Sequence, residues 1–158
     1  MIVSQQSYFV KGTLRDNIDP FIKKSQEKQV LKYLEDFGLD KKIQNNLDFE
    51  VGAGGSRLSS GEKKIVSFVR AMHLLKEVIV FDEITTRIDE DVEAKMEEKI
   101  SNFFKEQTII IISHKLKPLM QCSRIAVFEN GRLLECDSPQ SLLSNPKSRL
   151  AALFKQEK

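Results

Sequence analysis

Short apolar runs rich in β-branched residues dominate the second half of the sequence. They cover residues 78–81, 108–112 and 125–128, and helical patterns lie between them at about 89–105 and 115–121. Continuous apolar runs of this length are typical of strands that are buried on both faces of a largely parallel sheet. The alternation of strands and helices therefore predicts an α/β fold built on a mostly parallel sheet.

The first half of the sequence is mostly helical by its apolar spacing. Met1 opens an apolar run of three residues that predicts the end of a short strand. A helix is expected over residues 26–38, with Gly38 as its C-cap, and a loop with three glycines follows at 46–57. A second helix comes after the loop, because four apolar residues share one helical face there: Ile65, Phe68, Val69 and Met72.

Turn signals divide the last 35 residues or so. Asn130-Gly131 between two apolar runs predicts a β-hairpin in which residues 125–129 pair with 132–136. Two short helices are expected from about 138 to 155, begun by Ser138-Pro139 and Asn145-Pro146.

Composition narrows the class of protein. The chain has 158 residues and a formal net charge of +2, which fits one domain and gives no reason to expect nucleic acid as a partner. Cys122 and Cys136 have neither CxxC spacing nor nearby histidines, so they are interpreted as free thiols. No apolar run approaches the roughly 20 residues that span a bilayer.

Acidic side chains follow the apolar run at 78–81. Asp82 and Glu83 would stand at the carboxyl end of a buried strand, where open α/β sheets bind ligands. His114 ends the next strand, and a parallel sheet would bring both strand ends to the same edge. Carboxylates there can hold Mg²⁺ and polarise an attacking water, although a strand that simply ends in a polar turn has the same sequence. Gln5, just after the first strand, offers a further oxygen ligand.

Small residues precede the second predicted helix in the segment LSSGE at 58–62. The free N–H groups of a helix N-terminus favour an anion such as phosphate. Ser59 with Glu62 three positions later also has the spacing of a capping box, and by itself the segment favours that structural interpretation.

Taken together, these elements resemble the nucleotide-binding domain of ABC transporters in order, spacing and type. LSSGE resembles the signature motif, VIVFDE at 78–83 is similar to Walker B with its catalytic glutamate, and residues 86–89 take the place of the D-loop. Gln5 resembles the Q-loop glutamine and His114 the switch histidine. GTLRDNIDPF at 12–21, together with Ser60 where the signature usually has glycine, is similar to the second nucleotide-binding domain of the multidrug-resistance-associated (C) subfamily of exporters.

The resemblance implies a single partial ABC ATPase domain of the P-loop NTPase fold. A Q-loop segment would cover residues 1–12 and a helical subdomain with the signature would cover 13–76. Residues 77–158 would form the core with Walker B, the D-loop, the switch histidine and the C-terminal helices.

The resemblance also implies the cofactors ATP and Mg²⁺. Glu83 and His114 would be catalytic, and Gln5 and Asp82 would bind the metal. The residues implied to contact nucleotide are Leu58, Ser59, Ser60, Gly61, Glu62 and Asp89. The implied partners are a second nucleotide-binding domain in a head-to-tail dimer and the transmembrane domains of an exporter, at the cytoplasmic face of a membrane.

One motif of the family is missing from these residues. The Walker A loop, GxxxxGK[ST], lies before the Q-loop in the family, and no such sequence occurs here. We therefore expect that sequence is missing before Met1 and that the chain alone is inactive, because Walker A supplies most of the phosphate ligands. Glu62 also replaces the usual signature glutamine.

Two other functions stay open from the sequence. One is a non-catalytic interaction module that pairs with a complete ABC domain. The other is a soluble ABC ATPase for ribosome or chromosome work, which the exporter-like segment at 12–21 and the separation of about fifty residues between Gln5 and Leu58 disfavour.

Overall fold

Two units of unequal size make up the part of the chain that the structure describes. The computed structural model covers residues 1–156, without the side chains of residues 42, 44 and 156. The first unit is Met1–Ile112, and the second begins at Ser113. Each unit has its own cluster of buried apolar side chains. Within the described residues, no helix is both long enough and apolar enough to cross a bilayer.

A parallel sheet of three strands organises the first unit. Its strands are β1 (Ile2–Val3), β2 (Val78–Asp82) and β3 (Thr108–Ile112), in that spatial order, and both pairings are parallel. The short opening strand and the strands at 78–81 and 108–112 are thus confirmed. The parallel pairing of β2 with β3 brings their carboxyl ends to one edge, as the sequence predicts.

The longest helix of the first unit is mostly buried. The helices of this unit are α1 (Leu14–Ile18), α2 (Lys24–Asp36), α3 (Lys41–Gln44), α4 (Ser60–Leu74) and α5 (Glu90–Asn102), with a short 3₁₀ turn at Ala53–Gly55. Gly38 follows α2 with φ of 71°, as expected of a C-terminal glycine. The four residues predicted to share a face of α4 are all buried.

Aromatic rings connect α4 to its neighbours. The ring of Phe68 lies 5.4 Å from Phe37, 5.4 Å from Phe81 and 5.9 Å from Phe104, measured between centroids. Three large rings around one central ring bury a large apolar area. This cluster joins α4 to the end of α2, to β2 and to the segment after α5.

Only one face of the sheet is well covered, contrary to the prediction of strands buried on both faces. Ile79 and Phe81 are 0% and 1% exposed, because they face α4 and its neighbours. Val78, Ile110 and Ile112 are 46%, 48% and 50% exposed. No element among the described residues shields these three side chains fully.

A β-hairpin and three helices form the second unit. The elements are α6 (Leu116–Leu119), β4 (Ile125–Glu129), β5 (Arg132–Asp137), α7 (Pro139–Ser144) and α8 (Arg149–Gln156). β4 pairs with β5 in an antiparallel sheet, and Asn130 and Gly131 have φ of 50° and 75°, which confirms the predicted turn. The prediction that residues 125–128 form a strand buried on both faces is wrong, since Phe128 is 66% exposed.

The last helix begins later than predicted. Ser138 caps α7 as expected, with its hydroxyl accepting from the N–H of Ser141 at 3.2 Å. After Asn145, however, the chain turns once more, because the Asn145 side chain accepts from the N–H of Lys147 at 3.0 Å. Ser148 then accepts from the N–H of Ala151 at 3.3 Å, so α8 starts at Arg149.

Candidate functional site

Asp82 and Glu83 stand where β2 ends at the edge of the parallel sheet. Asp82 lies opposite Ile112 in the register, and the N–H of Glu83 donates to the carbonyl oxygen of Ile112 at 2.9 Å. Glu83 has φ of 50°, a left-handed conformation that is uncommon for a residue with a side chain. Strained backbone that neighbouring hydrogen bonds hold in place clusters at functional sites. The end of β3 thus fixes the turn that presents Glu83.

Gln5 reaches the same edge from the segment after β1. Its side-chain nitrogen Nε2 donates to Oε2 of Glu83 at 3.1 Å, across 78 positions of sequence. β1 makes this contact possible, because Ile2 and Val3 pair with Val80 and Phe81 and so direct the chain along β2. The structure therefore brings two of the predicted site residues into contact and places Asp82 next to them.

The oxygen-bearing side chains at this edge suit a magnesium ion. Mg²⁺ prefers carboxylate and amide oxygens, and typically uses one or two protein carboxylates while water and substrate phosphates complete its shell. Asp82 supplies a carboxylate next to Glu83, and the amide oxygen of Gln5 is not the atom that bonds to Glu83. Over residues 1–156, no group of three or more His, Cys, Asp or Glu side chains forms a metal-binding cluster. A magnesium ion held at this edge together with a phosphate ligand stays a prediction.

The LSSGE segment forms the start of α4 and contains a complete capping box. The Ser59 hydroxyl accepts from the N–H of Glu62 at 3.2 Å, and the Glu62 carboxylate accepts from the N–H of Ser59 at 2.7 Å. Leu58 is buried in the core of the unit, with 6% of its surface exposed. The structural interpretation of this segment is therefore confirmed. The carboxylate of Glu62 also places a negative charge at the positive end of the helix dipole.

An open groove lies at the start of α4. It encloses about 600 Å³ and is bounded by the signature segment, the end of α2 and the turn after β2. Of the predicted nucleotide-contacting residues it contains Ser59, Ser60, Gly61, Glu62 and Asp89. Asp89 thus lines the same groove as residues 59–62, although it lies 27 or more positions after them in sequence.

Lys64 is a residue of this region that the sequence analysis missed. It lies in α4 and is only 7% exposed. Its ammonium donates to the carbonyl oxygen of Thr86 and, at 3.0 Å, to the Thr86 hydroxyl. Phe68 and Met72 follow it by four and eight positions, so Lys64 continues the buried face of the helix. That spacing is the sequence pattern from which the burial of Lys64 could have been predicted.

His114 lies in the second unit, in the bend between β3 and α6, and its side chain is exposed. The neighbouring Ser113 hydroxyl accepts from the N–H of Lys115 at 3.0 Å, which shapes this bend. His114 thus follows the third strand of the sheet in sequence, as predicted, while its relation to Glu83 stays a prediction.

Several known proteins are similar in sequence to this chain over nearly all of its length. It is 35% identical over 156 residues to the metal resistance protein YCF1 of Saccharomyces cerevisiae, which is 96% of the chain and 10% of that protein. Identity is 33% over 148 residues with ATP-binding cassette sub-family C member 2 of Homo sapiens, or 92% of the chain and 10% of the relative. With sub-family C member 4 of Mus musculus it is 30% over 158 residues, or 98% and 12%.

The chain spans about a tenth of the length of these curated relatives. No family model matches it. Two of these relatives, the human and the mouse protein, are named as members of ATP-binding cassette sub-family C, and the match to the mouse protein covers 98% of the chain. The chain belongs to the C subfamily of ATP-binding cassette proteins, as a segment of one of their ABC domains.

Proposed function

We propose that this chain is the part of an exporter's nucleotide-binding domain that runs from the Q-loop onward and contributes to ATP binding and hydrolysis. The contact between Gln5 and Glu83 carries the proposal, because it joins two motif residues at the carboxyl edge of the sheet. Membership of the C subfamily supports transport as the process that hydrolysis drives. Among the domains of such a protein, the second nucleotide-binding domain is the one that Ser60 and the 12–21 segment favour.

Each site residue has a role in this proposal. Asp82 and Gln5 would hold Mg²⁺, which would neutralise charge on the phosphates of ATP. Glu83 accepts a proton from the water that attacks the terminal phosphate, and His114 donates a hydrogen bond to that phosphate. The strained turn at Glu83 keeps its carboxylate at the sheet edge.

The groove at the start of α4 serves a nucleotide held by another domain. Its signature residues and Asp89 lie on one surface, as a contact with a second nucleotide-binding domain in a head-to-tail dimer requires. The capping box uses the N–H groups of Ser59 and Glu62, so the other main-chain N–H groups at the start of α4 are those that would serve a phosphate. Transmembrane domains of the parent protein are the other partners, which places the chain at the cytoplasmic face of a membrane.

We also propose that the chain is one partial domain of the P-loop NTPase fold, divided at 12/13 and 76/77. Its sequence contains no GxxxxGK[ST] loop to hold the phosphates. The isolated chain should therefore bind MgATP weakly or not at all, as measured by calorimetry. Submicromolar binding would contradict this part of the proposal.

A chimera tests the catalytic role. The chain replaces the matched 156-residue segment of the yeast metal resistance protein, and ATPase activity is measured in the purified chimera. Glu83→Gln should lower kcat by about 100-fold or more, since a general base contributes about 10²–10⁴-fold. Glu77→Gln is the matched control, because Glu77 is exposed just before β2, and it should leave kcat unchanged.

The same chimera separates the proposal from a non-catalytic module. A folded chimera that hydrolyses ATP equally well with and without the Glu83 carboxylate would contradict the catalytic role. An inactive chimera that still pairs with a complete nucleotide-binding domain would favour the interaction module.

A further inference from the structure

A buried lysine lies between the signature segment and the turn that carries Glu83. Lys64 is two positions after Glu62 in α4, and 7% of its surface is exposed. A buried ammonium is unfavourable unless hydrogen bonds compensate for the lost water. The acceptors that the Lys64 ammonium reaches lie outside α4, on Thr86.

Thr86 supplies two acceptors for the Lys64 ammonium and itself bonds to Glu83. The Lys64 ammonium donates to its carbonyl oxygen and, at 3.0 Å, to its hydroxyl. The same hydroxyl donates to the carbonyl oxygen of Glu83 at 2.8 Å, and the N–H of Thr86 donates to that oxygen at 3.3 Å. A continuous chain of hydrogen bonds thus leads from α4 to the backbone of Glu83.

Glu83 is held from two other elements as well. Ile112 of β3 accepts from its N–H at 2.9 Å, and Gln5 donates to its carboxylate at 3.1 Å. Its φ of 50° is a conformation that hydrogen bonds must maintain. Of these contacts, the Lys64–Thr86 bridge alone comes from the helix that begins with the signature segment.

Electrostatics agree with this arrangement. Burial lowers the pKa of the Lys64 ammonium most, and the nearby Arg87 lowers it further, while Glu83 raises it. The Glu83 carboxylate therefore favours the charged form of Lys64.

We propose that Lys64 is a positioning residue for Glu83, acting through Thr86 and linking the place of the Glu83 carboxylate to α4. The proposal rests on the function proposed above for Glu83 and adds to it a residue that no motif contains. A movement of α4 would then change the position of the carboxylate.

The first test uses the 158-residue chain and needs no nucleotide. The NMR signal of the Gln5 side-chain NH₂ reports its hydrogen bond to Glu83, and hydrogen exchange of the Glu83 amide reports the turn. Lys64→Met should shift the Gln5 signal and speed exchange of the Glu83 amide about tenfold, as local opening becomes easier. Lys64→Arg should restore part of both, and Lys76→Met, the same charge change at an exposed lysine, should alter neither.

A second variant protects the test against misfolding of Lys64→Met. Thr86→Val keeps the shape of the side chain but removes the hydroxyl of the bridge, so the Gln5 signal should move in the same direction as in Lys64→Met. Thr86→Ser keeps the hydroxyl, so its Gln5 signal should stay close to that of the wild type. Folded Lys64→Met and Thr86→Val chains with wild-type Gln5 signals and Glu83 exchange would overturn the proposal. If Lys64→Met does not fold, the Gln5 signal of Thr86→Val alone supports the proposal when it is shifted and overturns it when it is unchanged.

The second test measures ATPase activity in the chimera. Lys64→Met should lower kcat at least tenfold and leave KM for ATP within twofold, with partial rescue by Lys64→Arg, because the residue acts on Glu83 and not on nucleotide binding. An unchanged kcat would overturn the inference. An inactive wild-type chimera together with altered Gln5 spectra would refute the proposed function and support the positioning role.

Discussion

Two cysteines in the second unit have different surroundings. Cys122 is half-buried in the bend that follows α6, where its thiol lies 3.9 Å from the carbonyl oxygen of Pro118. Cys136 is exposed on β5, and both are free. Burial raises the pKa of the Cys122 thiol, which lowers its thiolate fraction at neutral pH.

Alkylation should therefore distinguish the two thiols. At pH 7.5 iodoacetamide should modify Cys136 at least about tenfold faster than Cys122, since the thiolate is the nucleophile and access also favours Cys136. Raising the pH should narrow the difference as Cys122 ionises. Mass spectrometry of single-cysteine variants, Cys122→Ser and Cys136→Ser, gives each rate. Equal rates at pH 7.5 would show that Cys122 is not protected.

Residue types and their spacing predicted the carboxylates at the strand end, but they did not predict the buried lysine, Lys64, that lies near them. Asp82 and Glu83 stand out because they end an apolar run, and a strand has only one carboxyl end. Lys64 does not stand out, because a lysine on a helix is usually solvated and its long stem conceals where the ammonium lies. Its bond to Thr86 depends on the packing of α4 against the turn after β2, which local sequence does not encode.

At the scale of elements, the strands were easier to predict than their burial. β3 consists of Thr108 followed by four isoleucines, so both faces carry the same residue type and no alternation shows which face is covered. The helices decide it, since they pack against the face that contains Ile79 and Phe81. The opposite face, with Ile110 and Ile112, is about half exposed.

Matched truncations on the two faces should differ in cost. Ile79→Ala should lower the free energy of unfolding by about 2–5 kcal/mol, because Ile79 is fully buried and the change leaves a cavity. Ile110→Ala removes the same atoms from a side chain that is 48% exposed, so the loss should be about half as large or smaller. Urea denaturation of both variants measures the difference. Similar losses would mean that the second face is covered in solution.

At the scale of the whole molecule, the two units have separate cores. The second unit is built around Leu116, Ile125, Leu142 and Leu150. Glu135 on β5 connects the hairpin to α8, because its carboxylate accepts from the Ser148 hydroxyl at 3.0 Å and from the N–H of Leu150 at 2.8 Å. The buried core of this unit is small, so we expect the second unit to be the less stable part of the chain.

Separate cores imply separate local unfolding, which hydrogen exchange can detect. Leu150 is 1% exposed, so Leu150→Ala should cost about 2–5 kcal/mol and speed exchange of amides in β4 and β5 by about 30-fold or more. Amides of β2 and β3 should change less than about twofold, because their protection comes from the other core. Leu153→Ala, in the same helix but 39% exposed, should change exchange in β4 and β5 far less. Equal acceleration of amide exchange in all four strands would instead show that the two cores unfold together, because the loss of one leucine side chain would then lower the protection of amides in both units.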